Sequence, residues 1–295
     1  MKPTVFFLAV LSTATVIPAS EGFGGATHLA SDRRTATVQA DGCITEQVTF
    51  NSGFLRLRGT LMRPRPEGRW PVLIYNHGSR IRFERGSVVS FEAAPIVPAG
   101  TPCPSFVVER RWVFFVPWRR GYGGSEGDRY SELWARYPPN EIADAAVRRL
   151  RGVEADDVNA AYEYIRSQGF ADGTKVAVTG ASLGGIVSVF AADKSPTPYR
   201  AVVNQAGGWS VDYEPLIAGL VQAGRNIQSP MLFQYGTQDQ VAPPVIGRRV
   251  ADELGRLGRP VTLRTYPIGH DAFYVFGAGQ VWLPDFLAFL EDPLK

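Results

Sequence analysis

Strand-length apolar runs that alternate with stretches of helical spacing constrain this chain more than any other feature. "PVLIYN" (71–76), "WVFFVPW" (112–118), "KVAVTG" (175–180), "RAVVNQAG" (200–207), "PMLFQYG" (230–236) and "VTLRTYP" (261–267) read as strands. Runs that are apolar on both faces belong to strands covered by helices on each side, and hence to a parallel sheet. Helical stretches begin at Leu183, near Pro215 to Ala223, at "PPVIGRRVADELGRLG" and at "VWLPDFLAFLED". Ahead of Lys175, Val153, Val158, Ala161, Tyr162 and Ile165 keep helical spacing, with Gly152 marking a break. Near the front, "TEQVTF" and "GFLRLRGTLMRP" form two alternating strands joined by a turn at Asn51-Ser52-Gly53. The pattern predicts an α/β fold: a doubly wound, mostly parallel sheet with an antiparallel hairpin at its N-terminal edge.

At 295 residues the chain suits one such domain. "MKPTVFFLAVLSTATVIPAS" (1–20) places one lysine ahead of an apolar run too short to span a bilayer and ending in small residues, the pattern of a secretory signal peptide. A buried N-terminal helix is the competing reading, and the threonine-rich, β-branched run is a poor helix face. Cleavage after Ala19, Ser20 or as late as Ala26 fits equally. The expected organisation is therefore a signal peptide, a segment 21–44 and one domain over 45–295, with long irregular insertions at 80–111 and 121–139. Secretion or export to a periplasm follows, with no membrane span after cleavage. Cys43 and Cys103, the only cysteines, both lie in the exported portion and are expected to pair.

The formal charge is +3, and pairs such as Arg110-Arg111 and Arg119-Arg120 are scattered, which argues against a nucleic-acid partner. With three histidines and no Cys or His pair at ligand spacing, no metal centre and no other cofactor is expected.

Chemistry concentrates at "VAVTGASLGGIVSVF" (176–190). A strand that enters a helix through one residue strains that residue, and Gly180 and Gly184 remove the side chains that would collide there. Ser182 is then held at the C-terminal edge of the sheet, with the first N–H groups of the following helix aimed at the same spot. A Gly-x-Ser-x-Gly pattern also describes a glycine turn with a helix-capping serine. The flanking strand and apolar helix favour a nucleophile.

A serine hydroxyl needs a base. His28 sits in the polar segment after the signal peptide, and His77 lies in a glycine turn where its expected role is to hold the loop. His270, in "YPIGHDAF", follows the last strand and is the expected base. Asp239, just past "MLFQYG", is the expected acid; Asp271 is adjacent to the histidine and Asp212 lies one strand too early. The oxyanion donors expected are the backbone N–H groups of Leu183 and of Ser79 in "HGS". Trp118, Tyr122 and Trp209, with Trp134 and Tyr213, lie on loops after strands and are candidates for a substrate pocket or for packing under those loops.

From about Thr45 onward, "LRGTLMRP", "YNHGS", "RGYGGSEG", "GASLGG", "GTQDQVAPP" and "GHDAF", in this order, resemble the α/β-hydrolase superfamily, and within it the dienelactone-hydrolase and prolyl-oligopeptidase-like branch. The resemblance implies a serine hydrolase with Ser182 as nucleophile, Asp239 as acid, His270 as base and an oxyanion hole near Ser79 and Leu183. Dienelactone hydrolases use cysteine as nucleophile, so their lactone substrate is not carried over, and the propeller of prolyl oligopeptidases is not expected here. Hydrolysis of a small-molecule carboxylic ester is the leading expectation. A peptidase of the same fold and a catalytically silent binding protein are the alternatives.

Overall fold

The computed structural model describes residues 35–39, 42–65, 67–84, 87–98, 100–277 and 279–295. The expected signal peptide and His28 lie outside the described residues.

The chain order is β1 (Thr35–Val38), β2 (Cys43–Ser52), β3 (Leu55–Pro64), β4 (Trp70–Asn76), β5 (Ile81–Glu84), β6 (Ser87–Ser90), α1 (Ser105–Glu109), β7 (Val113–Trp118), α2 (Leu133–Arg136), α3 (Ile142–Arg149), α4 (Ala155–Arg166), β8 (Ala171–Ala181), α5 (Leu183–Lys194), β9 (Ala201–Gln205), α6 (Glu214–Asn226), β10 (Met231–Gly236), α7 (Val245–Arg256), β11 (Val261–Tyr266) and α8 (Leu283–Glu291). Nine strands make one sheet in the order β1-β2-β3-β7-β4-β8-β9-β10-β11. The first three strands and β7 pair antiparallel, and from β7 through β11 every pairing is parallel. This is the α/β-hydrolase architecture.

Strands β4, β7, β8, β9 and β10 are buried almost throughout, as their two-sided apolar runs require. One face of the sheet packs against α3 to α7 through side chains such as Val147, Val158, Ile186, Leu220 and Val250. The other face packs against α1 and α8 through Phe106, Phe286 and Leu290, with Trp282 fully enclosed.

Three differences from the sequence reading have local causes. Among the described residues the sheet begins at Thr35, upstream of the expected domain start at 45, because β1 pairs with β2 from Thr35↔Gln47 to Val38↔Ile44; "TATV" is too short to announce a strand. The hairpin turn falls on Gly53-Phe54, since Ser52 stays in the ladder opposite Leu55 and its hydroxyl donates to buried Asp157. The insertion 80–111 is not one irregular loop: it contains the β5–β6 hairpin and α1, whose Phe106 ring sits 5.4 Å from that of Phe114.

A disulfide joins Cys43, at the start of β2, to Cys103, just before α1. It closes a loop over a sequence separation of 60, which restricts the unfolded chain by roughly 4 kcal/mol in the loop-entropy description. Peptide mapping of non-reduced protein is expected to yield one linked pair containing both cysteines. Two free thiols would contradict it.

Candidate active site

Ser182 occupies the single residue between the end of β8 and the start of α5. Its backbone has φ 57° and ψ −127°, a region that non-glycine residues rarely adopt and that marks stored strain. The turn is this tight because its neighbours are packed against backbone. A Cβ at position 184 would lie 1.9 Å from the Asn76 carbonyl oxygen, and one at 180 would lie 2.5 Å from the same atom. The Ser182 N–H donates to the Gln205 carbonyl at 2.9 Å, and its own carbonyl accepts from Gly185 at 2.9 Å, so the strained residue is bonded on both sides. Ser182 itself is 4% exposed. Leu183 opens the helix, so its N–H has no intrahelical acceptor and faces the same edge.

Asp239 and His270 come from the two loops that follow β10 and β11. Those loops are joined to each other: Thr237 N–H donates to the Tyr266 carbonyl at 2.8 Å, and Gln238 N–H to the Ile268 carbonyl at 3.1 Å. Asp239 is almost fully buried, and both its oxygens are used. Oδ1 accepts from the N–H groups of Val241 and Ala242, each at 2.8 Å, while Oδ2 accepts from His270 Nδ1 at 2.7 Å. That fixes the imidazole with its proton on Nδ1 and leaves Nε2 free to accept. Among the described residues Asp239 is the one hydrogen-bond partner of the His270 ring. Asp212 is instead exposed and pairs with Arg249.

The loop after β4 is held from behind. His77 is buried; its Nε2 accepts from the Arg119 N–H at 3.3 Å and its Nδ1 donates to the Gly78 carbonyl at 2.8 Å. Burial first, and the Arg119 guanidinium second, push the His77 pKa well below the ordinary histidine value, so the ring is neutral. Arg119 also donates to the His77 carbonyl at 2.8 Å and to Glu154 at 2.7 Å, and Arg149 holds the other Glu154 oxygen at 2.6 Å. Burial alone would raise the Glu154 pKa, but the two guanidiniums outweigh it and hold the carboxyl below its usual range. Arg119 and Glu154 are wholly enclosed, so this ion group acts as an internal clamp on the loop that carries Gly78 and Ser79.

The sequence reading missed that clamp because Arg119 looked like one of several scattered basic residues. It also missed Tyr274, four residues after His270 on the short 3₁₀ turn His270–Tyr274, whose hydroxyl lies within hydrogen-bonding reach of Ser182. Nothing in the sequence beyond its closeness to the histidine marked it, because the contact depends on the local turn and on Gly78. Of the two roles expected for Trp118 and Tyr122, pocket lining or packing under loops, their burial fits packing. Trp118 is 5% exposed and packs under Gly123, and Tyr122 is fully buried with its ring 4.4 Å from that of His77. The loop 121–139 folds back on the sheet, so both aromatics support the site from within. Trp209 stays half-buried, its ring 5.0 Å from that of Tyr213. A separate cleft of about 460 Å³, lined by Arg63, Arg65, Arg69 and Phe170, lies at the N-terminal ends of β4 and β8, the edge opposite Ser182.

A model of the prolyl oligopeptidase family matches residues 140–218, the stretch that carries Ser182. The curated prolyl oligopeptidase ophP of Omphalotus olearius is 26% identical over 141 residues, covering 48% of this chain and 16% of that protein. Among solved structures, the Pyrococcus horikoshii acylaminoacyl peptidase superposes with a TM-score of 0.59 at 17% identity, covering 84% of this chain and 41% of that one. Acetyl xylan esterase 1 from Thermoanaerobacterium sp. JW/SL YS485 superposes with a TM-score of 0.62 at 15% identity, covering 90% of this chain and 89% of that one. This chain thus spans well under half the length of the two peptidases. Its sheet order and these superpositions give the chain the α/β-hydrolase fold, and within it residues 140–218, around the strained Ser182 turn, are similar to the prolyl oligopeptidase family.

Proposed function

We propose that the protein hydrolyses carboxylic esters of small molecules through an acyl-enzyme on Ser182. The single observation that carries this reading is the 2.7 Å Asp239–His270 hydrogen bond, which sets the imidazole tautomer a serine nucleophile needs, on the same sheet edge as the strained Ser182. Ser182 Oγ attacks the carbonyl carbon as His270 Nε2 takes its proton. The carbonyl π electrons move onto oxygen, where the N–H groups of Leu183 and Ser79 donate to it. Collapse expels the alcohol, protonated by His270, and water repeats the sequence to release the acid. Asp239 keeps its proton-acceptor role throughout and stabilises the imidazolium.

An ester is favoured over an amide on leaving-group chemistry: an alkoxide departs more readily than an amine, and the amine demands fuller protonation. The match of residues 140–218 to the prolyl oligopeptidase family favours the second reading, a serine peptidase. The Cys43–Cys103 disulfide supports a secreted or periplasmic location.

A panel of p-nitrophenyl esters of increasing acyl length and a set of aminoacyl p-nitroanilides, offered to purified protein, separates the readings. The expected result is turnover of the short esters with kcat/KM at least about 10²-fold above any anilide, a gap of some 2.7 kcal/mol in the barrier. Preferred cleavage of an anilide would establish the peptidase, and inertness toward both classes would leave a binding protein.

A further inference from the structure

Tyr274 sits where the chemistry would occur. Its ring packs against His270, the centroids 5.9 Å apart with the planes at 69°, and its hydroxyl reaches past the histidine to Ser182. The same hydroxyl overhangs the loop after β4: a Cβ on residue 78 would lie 2.5 Å from Tyr274 Oη and 3.4 Å from Ser182 Cβ. The approach therefore exists only because residue 78 is glycine. Three groups converge on one small space, namely the Gly78 backbone, the Ser182 side chain and the tyrosine hydroxyl. A carbonyl attacked by Ser182 must place its oxygen within a bond length or two of Oγ, and so beside that hydroxyl.

The group is a competent donor. Burial of the hydroxyl raises its pKa most, nearby Asp271 and Asp239 add to that, and the contacts with Ser182 and Arg119 offset it only in part. The phenol keeps its proton at neutral pH. Although the residue as a whole is 40% exposed, its hydroxyl is turned inward against Gly78.

We propose that Tyr274 is a catalytic residue whose hydroxyl donates a hydrogen bond to the oxyanion formed when Ser182 attacks, adding a side-chain donor to the backbone N–H groups of Leu183 and Ser79. This rests on the reading of Ser182 as nucleophile. No bond to Tyr274 forms or breaks: the Oγ–C bond forms, the serine proton goes to His270, the π pair goes to the carbonyl oxygen, and the phenol proton stays on Oη. A donor aimed at charge that exists only in the transition state raises kcat and leaves KM nearly alone.

The test compares wild type, Tyr274→Phe and Ser182→Ala, full-length, on p-nitrophenyl acetate. For Tyr274→Phe the expected result is a kcat lower by about 10- to 10³-fold with KM within about threefold and an unchanged thermal midpoint. Affinity for a trifluoromethyl ketone, which forms a tetrahedral adduct with the serine, is expected to fall by the same factor as kcat/KM. An unchanged kcat overturns the proposal. A higher kcat/KM overturns it too, and makes the tyrosine a latch over Ser182. Ser182→Ala separates the two levels: if it keeps activity, the nucleophile reading itself fails, whereas an inactive Ser182→Ala beside a fully active Tyr274→Phe removes only the role of Tyr274. Should Tyr274→Phe not fold, 3-fluorotyrosine at 274 retains ring and donor with a more acidic phenol. The stronger donor is then expected to tighten trifluoromethyl ketone binding and to raise kcat in proportion, and no change in either overturns the proposal.

Discussion

If Ser182 is the nucleophile as proposed, Ser182→Ala is expected to lower ester hydrolysis by about 10⁴-fold or more while the protein remains folded, on the order of what removing the nucleophile from a serine triad produces. The hydroxyl is not needed for the fold. Ser182 holds its place through its backbone, donating to Gln205 and accepting from Gly185 and Ile186, and those bonds survive truncation to Cβ. Its positive φ is a backbone strain that alanine would share. Binding should persist because nothing but Oγ is lost. The measurement is kcat/KM on p-nitrophenyl acetate with active-site titration by an organophosphorus ester. Wild type is expected to take up one equivalent on Ser182 and the variant none. Substantial residual turnover in Ser182→Ala, or label on another serine, would remove Ser182 from the mechanism.

Asp239→Asn is expected to cost about 10⁴-fold in kcat with little change in KM. The size follows from how Asp239 is held. Two N–H groups, those of Val241 and Ala242, point at Oδ1, so an asparagine would turn its carbonyl oxygen to them and its amide NH₂ to His270. Facing a donor, Nδ1 must become the acceptor and the ring proton moves to Nε2, the atom that takes the serine proton in the proposed mechanism. The replacement is nearly isosteric and keeps the backbone bonds, so the thermal midpoint should change by only a few degrees. Asp271→Asn is the matched control, with an effect expected below tenfold. If Asp271→Asn proves the crippled variant, the acid has been misassigned, although Ser182 and His270 would stand.

Much of this architecture was legible because it is written in local pattern. Apolar runs without alternation announced β4, β7, β8, β9 and β10, and α5, α6 and α7 were legible at nearly their observed bounds, whereas α1 and α2 lay hidden in the stretches expected to be irregular. Gly152, expected to break a helix, sits at φ −88° and ψ −105° inside a π turn over Leu150–Glu154. That irregular turn lies in the same stretch as Glu154, the buried carboxylate that grips Arg119. The position of Ser182 between a strand and a helix was legible for the same reason: a tight turn between apolar elements must use small residues. Where local pattern was weak, the reading was short. "TATV" is only four residues long with a single large apolar side chain, and β1 exists because β2 offers an unpaired edge. The hairpin and helix within 80–111 are anchored by a disulfide and by Phe106, both long-range contacts.

By itself the sequence determined which residue types stand at the C-terminal ends of which strands, because hydrophobic period and glycine placement are properties of neighbours in the chain. Only the tertiary structure decided which of those groups meet. Asp239 and His270 are 31 residues apart and touch because two loops are joined by backbone hydrogen bonds. Arg119 and Glu154 are 35 apart and share a buried site that their charges could not have announced, since an arginine is ordinarily a surface residue. Tyr274 depends on Gly78, almost two hundred positions earlier, for the space its hydroxyl fills. Such pairings are set by how loops pack over a finished sheet, where sub-ångström complementarity between distant segments, and not periodicity, selects the arrangement.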